Sequence, residues 1–181
     1  MKYITKLLFT ATILMVANKM LVAQDDKVPN KLFYAEFGGP GIIMSANLDS
    51  RIKSNSRIGF GFRAGVGFGL KRFSDKPASG GGYEEVLRTV YAFPVGVNYI
   101  FGKPNRASAF EVGGGVSIMS RKTSFYDYGI KKEGNTIGFL TFMYRVTPVN
   151  GGMSFRIGFT PIIGTAGDLF PMGAIGFGYA F

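Results

Sequence analysis

The chain has 181 residues, enough for one domain, and carries 27 glycines, about double the usual share, with aromatics at 15% drawn from Phe and Tyr alone. It has no cysteine and no histidine, which excludes disulfides, thiolate metal sites and a lipidated cysteine, and removes the commonest general base and neutral metal ligand. The formal charge of +10 invites a nucleic-acid reading, yet the basic residues fall mainly in loops and turns and no helix or aromatic-basic motif gathers them.

The N-terminal segment has the layout of a secretory signal. Lys2 and Lys6 precede an apolar run, Leu7 to Ala17, that is too short to span a bilayer comfortably. Ala23 is the expected last residue of the signal, although Leu21 is larger than the ideal residue two positions earlier. An uncleaved anchor or a buried helix is the alternative. Removal of residues 1–23 takes Lys2, Lys6 and Lys19 with it and leaves +7 on residues 24–181. No other run of about 18 apolar residues occurs, so no transmembrane helix is expected.

The rest divides into alternating segments. After a short leader, Asp25 to Asn30, the first strand, Leu32 to Gly38, sends Phe33, Ala35 and Phe37 to one face and Tyr34 and Glu36 to the other. Gly38-Gly39-Pro40-Gly41 breaks it. Strand two, Ile42 to Asp49, places Ile42, Met44, Ala46 and Leu48 opposite Ser45, Asn47 and Asp49. Strand three alternates most cleanly, with Ile58, Phe60, Phe62, Ala64, Val66, Phe68 and Leu70 against Arg57, Arg63 and five glycines. A polar loop is expected from Lys71 to Arg88. Strand four sets Tyr91, Phe93, Val95, Val97, Tyr99 and Phe101 against Ala92, Pro94, Gly96 and Asn98, and Pro94, which lacks a ladder donor, should force a bulge. A tight turn, Gly102 to Ala107, leads to strand five, with Phe110, Val112, Val116 and Ile118 outward and Glu111, Gly113, Gly115 and Ser117 inward. A second polar loop covers Ser120 to Asn135. Strand six, Thr136 to Thr147, places Leu140, Phe142, Tyr144 and Val146 outward and Phe139, Thr141, Met143 and Arg145 inward. After Pro148 to Gly152, strand seven, Met153 to Pro161, turns Met153, Phe155, Ile157 and Phe159 outward and Ser154, Arg156, Gly158 and Thr160 inward. A loop around Gly164 to Phe170 precedes the last strand, Pro171 to Phe181, with Ile175, Phe177, Tyr179 and Phe181 on one face and Ala174, Gly176, Gly178 and Ala180 on the other.

These patterns define an all-β, eight-stranded antiparallel up-and-down transmembrane barrel. From strand two onward the connections alternate short and long, as in barrels with turns on one side of a membrane and loops on the other. With the aromatics inside, more than a dozen rings would crowd an interior of this size, and the outside would be glycine and alanine with few charges. With the glycine face on lipid, Glu36, Arg63, Glu111, Arg145 and Arg156 would be exposed to hydrocarbon, at roughly 2–4 kcal/mol for each basic residue near the midplane.

The inward charges form the candidate site. Arg145 and Arg156 flank one turn and should lie close together, so an acid is needed between them. Glu111 is the first candidate and Glu36 the second, with Asp49 a possible partner for Arg63. These residues either plug the lumen with ion pairs or line an ion path or anion site. In the second polar loop, Arg121, Lys122, Lys131 and Lys132, with Tyr126 and Tyr128, are either solvated or contact phosphates of surface lipid.

The C-terminal Gly176, Phe177, Tyr179 and Phe181 resemble the assembly signal of bacterial outer-membrane barrels. Together with Tyr34-Ala35-Glu36-Phe37-Gly38-Gly39, Asn98-Tyr99 and Arg156-Ile157-Gly158-Phe159-Thr160-Pro161, they make the chain resemble small outer-membrane β-barrel proteins of Bacteroidetes-type bacteria and, more distantly, the OmpA and OmpX barrels. The resemblance implies export to the periplasm, insertion into the outer membrane by the barrel assembly machinery, and contact with membrane lipid and surface glycolipid. It carries over no catalytic residue. The expected function is a monomeric, non-enzymatic structural or surface-interaction protein without cofactor, metal or nucleic-acid partner. The alternative is a small pore or conduit, suggested by the many inward glycines.

Overall fold

A computed structural model describes residues 28–75, 84–123, 134–164 and 167–181. Residues 1–27, where a signal was expected, the tips of both long polar loops and Thr165-Ala166 lie outside the described residues. The strands are β1 (Lys31–Gly38), β2 (Met44–Arg51), β3 (Gly59–Asp75), β4 (Glu84–Gly102), β5 (Ser108–Thr123), β6 (Gly134–Val146), β7 (Gly152–Phe159), β8 (Ile162–Ile163), β9 (Leu169–Phe170) and β10 (Gly173–Ala180). All pairings are antiparallel. They run β5-β4-β3-β2-β1-β10-β7-β6, and β6 returns to β5, so the eight main strands close a ring. The short β8 and β9, between Pro161 and Pro171, pair with each other, and β8 also pairs with β6. Among the described residues, no helix is long and apolar enough to cross a membrane.

Alternation sets the wall's two faces. Outward positions carry Phe33, Phe62, Val66, Val97, Phe142, Phe159 and Phe177, all exposed, and within the apolar band no outward position holds a charge; Arg72, Glu85 and Lys122 face outward only beyond it, at the loop end. On β3 this band runs from Phe60 to Leu70. At about 3.3 Å per residue and a tilt near 40°, it is roughly 25 Å tall, the height of a bilayer's hydrocarbon layer as barrels span it. Exposed apolar surface on this scale far exceeds the few hundred Å2 that soluble monomers show. Near the short-turn end, outward rings meet across strands, Phe60 with Tyr99 at 4.7 Å and Phe110 with Tyr144 at 5.5 Å between centroids.

Four local expectations are corrected. The ends of the polar stretches Lys71 to Arg88 and Ser120 to Asn135 are strand, because β3 runs to Asp75, β4 starts at Glu84, β5 runs to Thr123 and β6 starts at Gly134. Pairing does not need lipid, so the strands stay bonded beyond the apolar band. Pro94 makes no bulge. The β3–β4 register is the same on both sides of it, and only the pairs opposite Gly65 and Val66 are missing from the ladder. Ile42 does not face outward. It has φ +76°, a conformation rare for a β-branched residue, and packs against the interior while Ile43 is exposed. Finally, the loop expected around Gly164 to Phe170 ends in β9, which pairs back with β8 just before it.

The first connection, short where a surface loop should be long, folds inward. Gly39–Gly41 forms a buried 3-10 turn, and the Ser117 hydroxyl donates to the Pro40 carbonyl at 2.9 Å. A Cβ on Gly67 would lie 2.8 Å from Gly41 Cα, so close approach of the two backbones requires glycine there. Next to this turn, at the loop end of the barrel, Val90, Ala92, Met119, Ile137, Phe139 and Ile162 form an apolar cluster inside the wall.

Candidate functional site in the barrel lumen

The wall holds a ladder of charges almost wholly removed from water and lipid. Glu36, Asp49, Arg63, Glu111 and Arg156 are at most 1% exposed, and Arg51 and Arg145 are each 5% exposed. A buried charge is tolerated only with close partners. The carboxylates and guanidiniums alternate along one chain. Arg63 pairs with Glu36 at 2.9 Å, Glu36 reaches Arg156 at 3.6 Å, and Arg156 reaches Glu111 at 3.0 Å. Glu111 contacts Arg145 at 3.3 Å, Arg145 contacts Asp49 at 2.6 Å, and Asp49 pairs with Arg51.

Register explains this order. Arg145 and Arg156 are direct cross-strand neighbours on β6 and β7, so their guanidiniums would repel. Glu111, on β5 at the other side of β6, lies against both. Asn98 braces the lower half, donating to Glu111 Oε1 at 2.9 Å and accepting from Arg51 Nη2 at 2.6 Å. Asp49 faces Arg63 across the β2–β3 ladder, but the suggested pair does not form. Arg63 turns to Glu36, and Asp49 serves Arg145 and Arg51. Arg51 was not among the sequence candidates. It shares Asp49's face two residues on, a spacing that could have flagged it.

Aromatic faces take part. The Arg156 guanidinium lies 4.4 Å from the Tyr34 ring centroid and that of Arg63 lies 5.3 Å from the Phe139 centroid. The buried Nε and Nη1 of both arginines lack hydrogen-bond partners among the described residues, and cation–π contact offsets part of that cost. The inward glycines make room for these groups. A Cβ on Gly176 would lie 2.7 Å from Arg156 Cγ, and one on Gly115 would lie 2.8 Å from Phe139 Cζ.

At the turn end, Arg57 joins three connections. Its Nη1 donates to the Thr147 carbonyl at 2.6 Å, and its Nη2 donates to those of Pro104 and Arg106 at 2.9 and 2.7 Å. The C-terminal Gly176, Phe177 and Tyr179 lie in β10, which pairs with β1 and β7, and Phe181 follows with its amide bonded to the Lys31 carbonyl at 3.0 Å. Arg121 and Lys122 are exposed near the loop-side end of β5, on the strand that carries Glu111 toward its other end. Tyr126, Tyr128, Lys131 and Lys132 lie outside the described residues. Among the described residues no cluster of carboxylates or other ligands could hold a metal ion.

A closed eight-stranded antiparallel barrel with rings outward and paired charges inward has the fold of the outer-membrane β-barrels. Among solved structures, the chain is similar to the N-terminal β-barrel domain of OprF from Pseudomonas aeruginosa, with a TM-score of 0.56 at 11% identity, covering 86% of this chain and 100% of that one. It also matches Ail, the attachment invasion locus protein of Yersinia pestis, crystallised with the heparin analogue sucrose octasulfate, with a TM-score of 0.35 at 8% identity, covering 84% and 95%. No family model matches the chain. Comparison with curated proteins finds no match.

Proposed function

We propose that the protein is an integral outer-membrane β-barrel without enzymatic activity, serving a structural or surface-interaction role, with a lumen closed to solutes. The alternating chain from Arg63 to Arg51 carries this reading. Ions crossing such a lumen would have to displace paired charges, and then pass the apolar cluster of Val90, Met119, Ile137, Phe139 and Ile162 at the loop end. The inward Gly39–Gly41 turn adds a third obstruction. The conduit alternative drew on the inward glycines, but Phe139 and Arg156 occupy the space beside Gly115 and Gly176. Export by the signal segment, insertion by the assembly machinery through the Phe181 end, a monomeric state, and lipid contact by Arg121 and Lys122 with their loop belong to the same proposal.

Planar-bilayer recording on folded protein is the test. Baseline current without discrete steps is expected at neutral pH and moderate salt. Reproducible unitary steps from protein that migrates as folded on a gel would replace this reading with the pore.

A further inference from the structure

The turn end of the barrel opens into a vestibule of about 20 Å3, room for roughly one water-sized group. Among the described residues its lining includes Lys31, Arg51, Arg57, Arg106 and Arg145 and no acidic side chain. These cations come from four separate parts of the wall, namely the start of β1, the end of β2 with the connection after it, the β4–β5 turn and the end of β6. Arg51 and Arg145 form the floor, with Asp49 behind them. They belong to a lumen chain in which four buried arginines face three buried carboxylates, so the floor keeps a positive excess. Arg57 forms a wall, and its buried Nε has no hydrogen-bond partner among the described residues. Lys31 and Arg106 are exposed at the rim, with Lys53 and Lys103 exposed on connections at the same end.

We propose that this mouth binds a phosphate group. A single oxygen fits the vestibule toward Arg57 and the floor, and the remaining oxygens stay in the mouth between Lys31 and Arg106. Guanidinium forks suit tetrahedral oxyanions, and charge-assisted bonds of this kind are the strong ones. The phosphate can be free or can be the phosphodiester of an anionic lipid, whose headgroups lie at the level of a barrel's mouth. The placement of the five cations carries the proposal, so binding in detergent succeeds or fails independently of which membrane holds the barrel.

The test follows amide and arginine side-chain NMR signals of the folded protein in two arms. One titrates inorganic phosphate into protein in zwitterionic detergent. The other uses nanodiscs of phosphatidylcholine with rising phosphatidylglycerol. Saturable shifts at Lys31, Arg57 and Arg106 are expected in at least one arm, weakened tenfold or more by Lys31→Gln combined with Arg106→Gln. That variant leaves the Arg57 bonds, which go to carbonyls, and the lumen chain in place. A response to inorganic phosphate alone identifies a soluble ligand, a response to phosphatidylglycerol alone a lipid, and a response to both the phosphate group itself. No saturation in either arm overturns the proposal, as does undiminished binding by the double variant or, in the inorganic-phosphate arm, an equal response at Arg121 and Lys122.

Discussion

Glu111→Gln is expected to lower the unfolding free energy by about 3–5 kcal/mol, the loss that follows when a buried ion network is broken from one side. Glu111 is the choice because it stands between Arg145 and Arg156, at 3.3 and 3.0 Å, and accepts a further bond from Asn98. Without its charge, two guanidiniums that face each other across β6 and β7 retain only Asp49 and the more distant Glu36 as counter-charges. Glu85→Gln supplies the control. Its pair with Arg72 spans 3.6 Å with both side chains more than two-thirds exposed, and such a pair contributes less than about 1 kcal/mol. Adding Arg156→Met to Glu111→Gln should recover part of the loss, since it removes a charge left without a close partner. Urea unfolding in lipid vesicles, read by gel mobility and circular dichroism, measures all three. If Glu111→Gln costs no more than Glu85→Gln, the ion chain does not hold the barrel together.

The second large effect concerns the outer face. Val66 lies at the middle of the apolar band on β3 and Leu70 at its loop-side edge, and both are half exposed on the wall. Val66→Arg should cost about 2–4 kcal/mol in a bilayer and Leu70→Arg about 0–1 kcal/mol, because the penalty for a charge falls from the membrane midplane to its interface. In a soluble barrel the two substitutions would differ little. Refolding yield and unfolding free energy in vesicles separate these cases, and equal costs at the two positions would count against a membrane-spanning band.

The closed eight-stranded barrel and the facing of its strands were legible because a period of two separates rings from small or charged residues over long stretches, most plainly from Phe60 to Leu70. The contrast fades at the loop end. Phe139 points inward as its alternation predicts, but Val90, Met119 and Ile137, which join it, lie in or beside the polar stretches and are of the same residue types as outward positions, so alternation alone could not reveal an apolar layer inside the lumen. Hydropathy responds to lipid rather than to pairing, which is why the polar ends of β3 to β6 read as loop. Arg51 was missed because Ser50 and Arg51 are polar in succession, which resembles the start of a turn. Both are buried because β2 ends under the turn-side connections, where the Arg51 amide donates to Asn30 and its side chain to Gly59. The partner of Arg63 depended on rotamer reach, since Asp49 is its ladder neighbour and Glu36 is not. The inward turn at Gly39–Gly41 rests on an Ile42 conformation that no local residue preference announces.

The most direct test is contact with lipid itself, recorded as nuclear Overhauser effects between acyl-chain methylenes and the unmodified protein in nanodiscs. Phe62, Val66, Val95, Val97 and Phe177 should show strong cross-peaks to the chains, while Arg63, Asn98, Glu111 and Arg156 on intervening positions show none. Acyl contacts at the arginines and glutamates, or their absence at the rings, would contradict the arrangement of the whole wall.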